Sequence, residues 1–309
     1  MFAAVASMRA LGMRPSPMAW ASKRSAYPAR LLAGSRQAGY RGAVWPSRTY
    51  LNVFGTSIGL YDIARLVAQV ACVSLAIRLN RRQDVAPSVT LAVAIVCLPL
   101  ALWGARVLDI LEYWSASPSF HAAIARRGSS IYGAFLVSLI VLWIALRLLR
   151  VPALKFLDAA APAFALGEAI TRLGCFCAGC CYGVPWTGPW AVRFPTGSFA
   201  LADLKARGLI DPSAAQTMPV HPVQLYGAAL MFVVTLVLAA RLPRRAHEGE
   251  VFYLLLVAYG TQRLLLGTLR VEALMSMEAF SIGFVLAGVG GLAKLHREPA
   301  ARVPVTFTR

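Results

Sequence analysis

Two arginines in apolar surroundings are the residues of this sequence best suited to chemistry: Arg172, in Ala169-Ile170-Thr171-Arg172-Leu173-Gly174, and Arg263, in Tyr259-Gly260-Thr261-Gln262-Arg263. A guanidinium stays charged at ordinary pH, and its planar fork matches the oxygens of a phosphate. Near the centre of a bilayer such a charge costs roughly 2.5–3.5 kcal/mol, so something must offset it. Asp62, Arg65, Arg106, Asp109, Asp158 and Glu168 share that setting. Glu168 and Arg172 stand i,i+4, and Asp62 and Arg65 i,i+3, so each pair can neutralise itself on one helix face; others near a span end can snorkel. From the residues alone, two readings stay open. Either arginines converge on an anionic lipid headgroup, or the charges pair from helix to helix.

The second signal is the cluster Cys175-Phe176-Cys177-Ala178-Gly179-Cys180-Cys181-Tyr182-Gly183. Facing an oxidising compartment, Cys175, Cys177, Cys180 and Cys181 pair most simply as disulfides, in any of three connectivities. A zinc or iron–sulfur site is the sharper reading, with His221 the one further ligand to consider, but the spacing is tight and we expect no metal and no cofactor. Cys72 and Cys97 are lone residues within spans and read as core filler. His221 has the informative setting among the histidines, in Val220-His221-Pro222-Val223-Gln224-Leu225-Tyr226, where the chain re-enters the apolar region. The prolines hold this entry extended and bring His, Gln and Tyr together, to bind a headgroup or to anchor at the interface.

The elements that carry these residues are membrane spans. The 309 residues are 58% hydrophobic and 14% charged, against about a quarter charged in a soluble domain, which excludes a water-soluble fold. The net charge of +18 comes with no basic-aromatic patch, zinc finger or RNA-binding signature, so nucleic acid is excluded too. Seven stretches, 57–77, 89–108, 130–149, 157–176, 222–240, 250–270 and 278–295, approach the roughly 20 apolar residues a spanning helix needs. The expected fold is all-α and polytopic, with about seven transmembrane helices. Thirteen cations, among them Arg78, Arg81, Arg150, Lys155, Arg241 and Arg245, lie on the face that holds the C-terminus, and six on the other. The positive-inside rule then puts the C-terminus in the cytoplasm and the N-terminus outside.

Residues 1–50 carry eight Lys/Arg and no acid. We read 1–52 as a basic leader, disordered or cleaved, 53–298 as the membrane domain, and 299–309 as a cytoplasmic tail. The long outer loop 177–221 is rich in Gly, Pro, Trp and Ser, with a short surface helix expected near Ala202–Arg207.

In order and spacing these residues resemble the prolipoprotein diacylglyceryl transferases over about 55–295. The likeness runs through the Tyr61 region, Gly104-Ala105-Arg106, Gly128-Ser129-Ser130-Ile131-Tyr132-Gly133, Arg172-Leu173-Gly174, Gly183, His221-Pro222-Val223-Gln224-Leu225-Tyr226, Tyr259-Gly260, Arg263 and Arg270. The resemblance implies an enzyme of a bacterial inner membrane that moves a diacylglyceryl group from phosphatidylglycerol to the lipobox cysteine of an exported protein. It implies that Arg172 and Arg263 bind the phosphate and stabilise the leaving group, and that Tyr61, Arg106, Gly133, Gly183, His221, Gln224, Tyr259 and Arg270 surround the lipid. The chain departs from the family pattern where an asparagine becomes Cys175, an acidic residue Cys180, a motif histidine Tyr132, and two glutamates Gly227 and Gly267. Tyr132 then stands as the candidate base. The other reading is a non-transferase lipid-binding or thiol-redox membrane protein that uses the Cys175–Cys181 cluster.

Overall fold

The structure, a computed structural model, describes residues 44, 50–53, 56–114, 119–125, 131–271 and 275–297. The leader expected over 1–52 and the tail over 299–309 lie almost wholly outside these residues; Tyr50–Asn52 begin a strand. That strand, β1 (Tyr50–Val53), pairs antiparallel with β2 (Thr56–Gly59), Tyr50 opposite Gly59. The helices follow: α1 (Leu60–Arg81), α2 (Pro87–Trp114), α3 (Phe120–Ala125), α4 (Ile131–Leu148), α5 (Ala153–Ala178), α6 (Phe199–Ala206), α7 (Val223–Arg241), α8 (Glu250–Gly267) and α9 (Met275–Leu295). Helix α1 thus starts later than the span expected from residue 57, because Thr56–Gly59 have the β-branched, alternating character of a strand and close the hairpin.

The protein is all-α apart from this hairpin, and it is a multi-pass membrane protein. Long helices occupy all seven expected stretches, but the expectation that seven qualify as spans is corrected. Among the described residues four helical segments are long and apolar enough to cross a membrane: Leu60–Arg81, Pro87–Leu111, Val223–Arg244 and Glu278–Leu295. The described part of α4, Gly133–Leu148, is apolar but short. Helices α5 and α8 fall short because Lys155, Asp158, Glu168 and Arg172 in one, and Glu250, Gln262 and Arg263 in the other, interrupt the apolar run. Exposed Leu, Val, Phe and Trp side chains cover α2, α4, α7 and α9, as expected of surfaces that meet hydrocarbon rather than water.

The chain divides into two compact units. The first, within 88–153, holds α2, α3 and α4, and Gly104 and Gly133 let α2 and α4 touch: a Cβ on Gly104 would lie 2.7 Å from the Gly133 carbonyl oxygen. The second holds the hairpin, α1 and α5 to α9. Its core gathers Leu79, Ala159, Ala161, Ala165, Leu238, Leu242, Val251 and Leu255. The run of alanines on α5 allows close helix approach, as small residues do in membranes. At one end of this unit Asp158, fully buried, pairs with Arg245 at 3.1 Å and accepts hydrogen bonds from the backbone N–H of Gly249 (2.7 Å) and Phe252 (2.9 Å). A carboxylate there satisfies the orphan amides at the start of α8 and meets its dipole. Arg245 also donates to Gln83 Oε1 at 2.6 Å. The charge of Asp158 therefore has a structural partner.

Candidate functional site

Helices α5, α7 and α8 of the second unit carry the site. Arg172 lies in the last third of α5, only 8% exposed, and donates through Nε (2.9 Å) and Nη2 (2.5 Å) to one oxygen of Glu168 a turn earlier. This is the i,i+4 pairing read from the sequence. Arg172 also lines a small, partly open pocket with Arg263, Arg270, Gln224, Gln262, Gly227, Val223 and Leu266. The structure therefore brings Arg172 and Arg263 to one cavity and leaves a carboxylate on one flank of Arg172. A Cβ on Gly227 would sit 3.0 Å from Gln262 Nε2 and 3.5 Å from Arg172 Cδ. The missing side chain keeps that wall open.

The long loop between α5 and α7 packs against the segments that border this pocket. Gly183 and Arg270 form an antiparallel bridge, with Val184 N–H donating to Leu269 at 2.9 Å and Val271 N–H to Tyr182 at 3.4 Å. The loop also runs against the segment before α7: Gly183 N–H donates to His221 and His221 N–H to Val184, both at 3.1 Å. A side chain on Gly183 would meet His221 Cβ at 2.6 Å and its carbonyl at 2.7 Å, so this crossing needs glycine. Phe194, Leu204 and Val220 form the loop's own buried centre. The expected surface helix is present as α6, Phe199–Ala206, with Ser198 as N-cap accepting from Leu201 N–H; it buries Ala200, Leu201 and Leu204 rather than lying free.

His221 stacks on Trp186 (ring centroids 4.2 Å apart) and faces Tyr226 Oη at 3.5 Å. Burial lowers its imidazole below the ordinary 6.5, because desolvation disfavours the charged form. Gln224, 1% exposed, donates Nε2 to the Cys180 carbonyl at 2.8 Å. Its Oε1, and the Oε1 of Gln262 (5% exposed), are buried without a hydrogen-bond partner. Two unpartnered acceptors in one arginine-lined pocket form a donor-seeking wall, since a buried acceptor left empty costs about 1–3 kcal/mol. Gln262 had no role from the sequence. A glutamine beside Arg263 in an apolar helix was the signal available.

The remaining candidates fall in several places. Tyr259 lies within electrostatic reach of Glu168, Arg263, Arg172 and Arg270 and packs edge-on against Phe164 at 5.7 Å. Tyr61 lies on α1, where a Cβ on Gly174 would come within 3.5 Å of its ring, and it is in electrostatic reach of Cys175, Cys180 and Cys181. Arg106, Tyr132 and Gly133 belong to the first unit. There Arg106 pairs with Asp109 at 3.2 Å and donates to the Ile124 carbonyl. Gly133 makes the contact with Gly104 described above. Tyr132 is the second residue of α4, and its side chain lies outside the described residues.

The structure contains all six cysteines unbridged. Cys175, Cys180 and Cys181 converge, their sulfurs all within 4.8 Å of one another, while Cys177 is not among them. On a helix, positions 175 and 177 point some 200° apart, which removes Cys177. The chain then turns back, with Cys180 N–H donating to the Cys175 carbonyl at 3.1 Å and Cys181 held at φ 57°. Hydrogen bonds from Cys175 and Cys180, then Arg270 and Arg172, keep the Cys181 thiol below its ordinary range.

The prolipoprotein diacylglyceryl transferase family profile matches residues 48–295. Similar chains include phosphatidylglycerol–prolipoprotein diacylglyceryl transferases of Finegoldia magna (27% identical over 78% of this chain and 93% of the relative), Dehalococcoides mccartyi (28%, over 75% and 83%) and Synechococcus elongatus (27%, over 81% and 89%). These bacterial relatives and the apolar helices place the protein in a bacterial inner membrane as a multi-pass protein. With a match over most of its length, the chain belongs to the prolipoprotein diacylglyceryl transferase family and is transferase-like.

Proposed function

We propose that this chain transfers a diacylglyceryl group from phosphatidylglycerol to the cysteine thiol of an exported protein, working as a multi-pass membrane protein with its N-terminus outside and its C-terminus in the cytoplasm. The observation that carries the reading is the pocket in which Arg172, Arg263 and Arg270 share a wall with the unpartnered oxygens of Gln224 and Gln262. Cations suit a phosphate, and acceptors suit a group that brings its own hydroxyls. A phosphate esterified to a free glycerol offers both. Phosphatidic acid, which lacks the hydroxyls, leaves the glutamines empty.

In the proposed reaction the acceptor sulfur attacks the glyceryl carbon, a new C–S bond forms, and the C–O bond to phosphate breaks. The electron pair leaves on glycerol phosphate, whose charge Arg172 and Arg263 stabilise. The thiol proton must go to a base. A thiol ionises near pH 8.5 and needs little help; the family resemblance, rather than any geometry, offers Tyr132 for that help.

The test is transfer of label from phosphatidylglycerol to a lipobox peptide in nanodiscs. Transfer is expected, with strong loss in Arg172→Ala and Arg263→Ala and a shifted pH profile in Tyr132→Phe. No transfer by a monodisperse preparation, or transfer indifferent to Arg172→Ala, overturns the proposal.

A further inference from the structure

The proposed transfer leaves the cysteine cluster without a task, and the cluster has the form of a ligand set. Cys175 is the last buried cysteine of α5, and the turn through Gly179 returns Cys180 and Cys181 to it. The turn is built rather than incidental. A side chain on Gly179 would lie 2.9 Å from Ser198 Cβ and 3.1 Å from Phe194, and Gln224 holds the Cys180 carbonyl from the far side. Cys181 adopts a left-handed backbone, a conformation that costs a non-glycine residue about 1–3 kcal/mol and persists only where its surroundings enforce it.

We propose that Cys175, Cys180 and Cys181 form a three-sulfur site for a soft, thiolate-seeking cation of the Cu+ or Zn2+ class. Three sulfurs around one ion at a metal–sulfur distance of about 2.3 Å stand roughly 4 Å from one another. Sulfurs that already lie within 4.8 Å reach that arrangement with side-chain shifts below an ångström. A disulfide, by contrast, would draw two of them to about 2.05 Å and exclude the third. Ligand softness selects the ion, since thiolates favour Cu+ and Zn2+ over Mg2+ or Ca2+. Among the described residues no fourth Cys, His, Asp or Glu joins the group. That favours a three-coordinate ion, or zinc with its fourth position open.

The charge balance is supplied nearby. Three thiolates around a monovalent or divalent ion leave a net negative charge, and Arg172 and Arg270 lie within electrostatic reach of Cys181. Binding displaces the thiol protons to solvent. Cys180 and Cys181 are residues of intermediate exposure on the loop that follows α5. This inference stands apart from the transfer reaction and does not need it.

The experiment uses full-length protein in nanodiscs under reducing, anaerobic conditions, with Cu+ alone and Zn2+ alone competed against a chromophoric chelator. One equivalent of ion per chain is expected, with X-ray absorption of the zinc form showing three sulfurs at about 2.3 Å. Loss of a ligand exceeds the cost of a mere supporting contact, so Cys175→Ser, Cys180→Ser and Cys181→Ser should each weaken binding by more than about 100-fold, with Cys177→Ser and Cys72→Ser unchanged. Alkylation of the wild-type protein gives a readout independent of variant folding: the ion should protect Cys175, Cys180 and Cys181, leaving Cys72, Cys97 and Cys177 reactive as before. Binding that survives the triple Cys→Ser variant, an absorption spectrum without sulfur ligands, or no protection by either ion overturns the proposal.

Discussion

Arg172 takes part in an ion pair with Glu168 and lines the pocket, and the two roles can be separated by experiment. Arg172→Gln removes the charge at nearly constant length and leaves Glu168, its side chain 14% exposed, without its cation. Breaking a buried pair from one side costs about 3–5 kcal/mol. With Glu168 not wholly buried, the lower end, about 3 kcal/mol, is expected for stability. Transfer should fall by about 100- to 1,000-fold, the usual loss for one donor aimed at developing charge. The companion Glu168→Gln/Arg172→Gln restores neutrality on both sides. Replacing both partners of a buried pair is often close to neutral, so most of the lost stability should return, whereas transfer should stay at the level of the single variant. Thermal unfolding in nanodiscs reads the first quantity, and labelled phosphatidylglycerol with a lipobox peptide the second. If the double variant regains transfer to within a few-fold of wild type, Arg172 serves its ion pair alone and the headgroup argument fails.

Three further outcomes can be checked. Gln224→Leu and Gln262→Leu should each raise the KM for phosphatidylglycerol by up to about tenfold, the worth of one hydrogen bond, while leaving phosphatidic acid competition unchanged; equal effects on both lipids would remove the hydroxyl reading. Asp158→Asn should lower stability by about 3 kcal/mol, measured by unfolding, with transfer per folded molecule retained; a stable variant would mean that Arg245 and the α8 amides do not depend on that charge. His221, its folded pKa lowered by burial, binds a proton more readily when unfolded. Its contribution to stability is therefore present above about pH 6.5 and declines as pH falls below that value. The unfolding midpoint should drop between about pH 7 and pH 5, and His221→Gln should flatten this component.

The sequence carried the helices because hydropathy is a local property. It also flagged Arg172, Arg263 and Asp158, since a charge in an apolar run stands out wherever it lies. What it did not carry was pairing across the chain. The partner of Asp158 is Arg245, on a turn beyond α7, and no spacing rule links the two. Gln262 is one more polar residue in the sequence, and only the fold sets it, with its buried and unpartnered oxygen, in the lining of the same pocket as Gln224. Spacing alone leaves the pairing of the four clustered cysteines open, whereas helical geometry turns Cys177 away and the tight return after Gly179 groups the other three. The criterion of about 20 apolar residues also overcounted spans, because the helices that build the site, α5 and α8, carry the polar groups the site uses.

The account rests on an anionic headgroup held between guanidinium groups. A cryo-EM map of the protein in phosphatidylglycerol nanodiscs tests this most directly. The account predicts a lipid phosphate within hydrogen-bond reach of both Arg172 and Arg263, with its glycerol against Gln224 and Gln262. A transfer-competent sample whose bound lipid phosphate lies away from these arginines would contradict it.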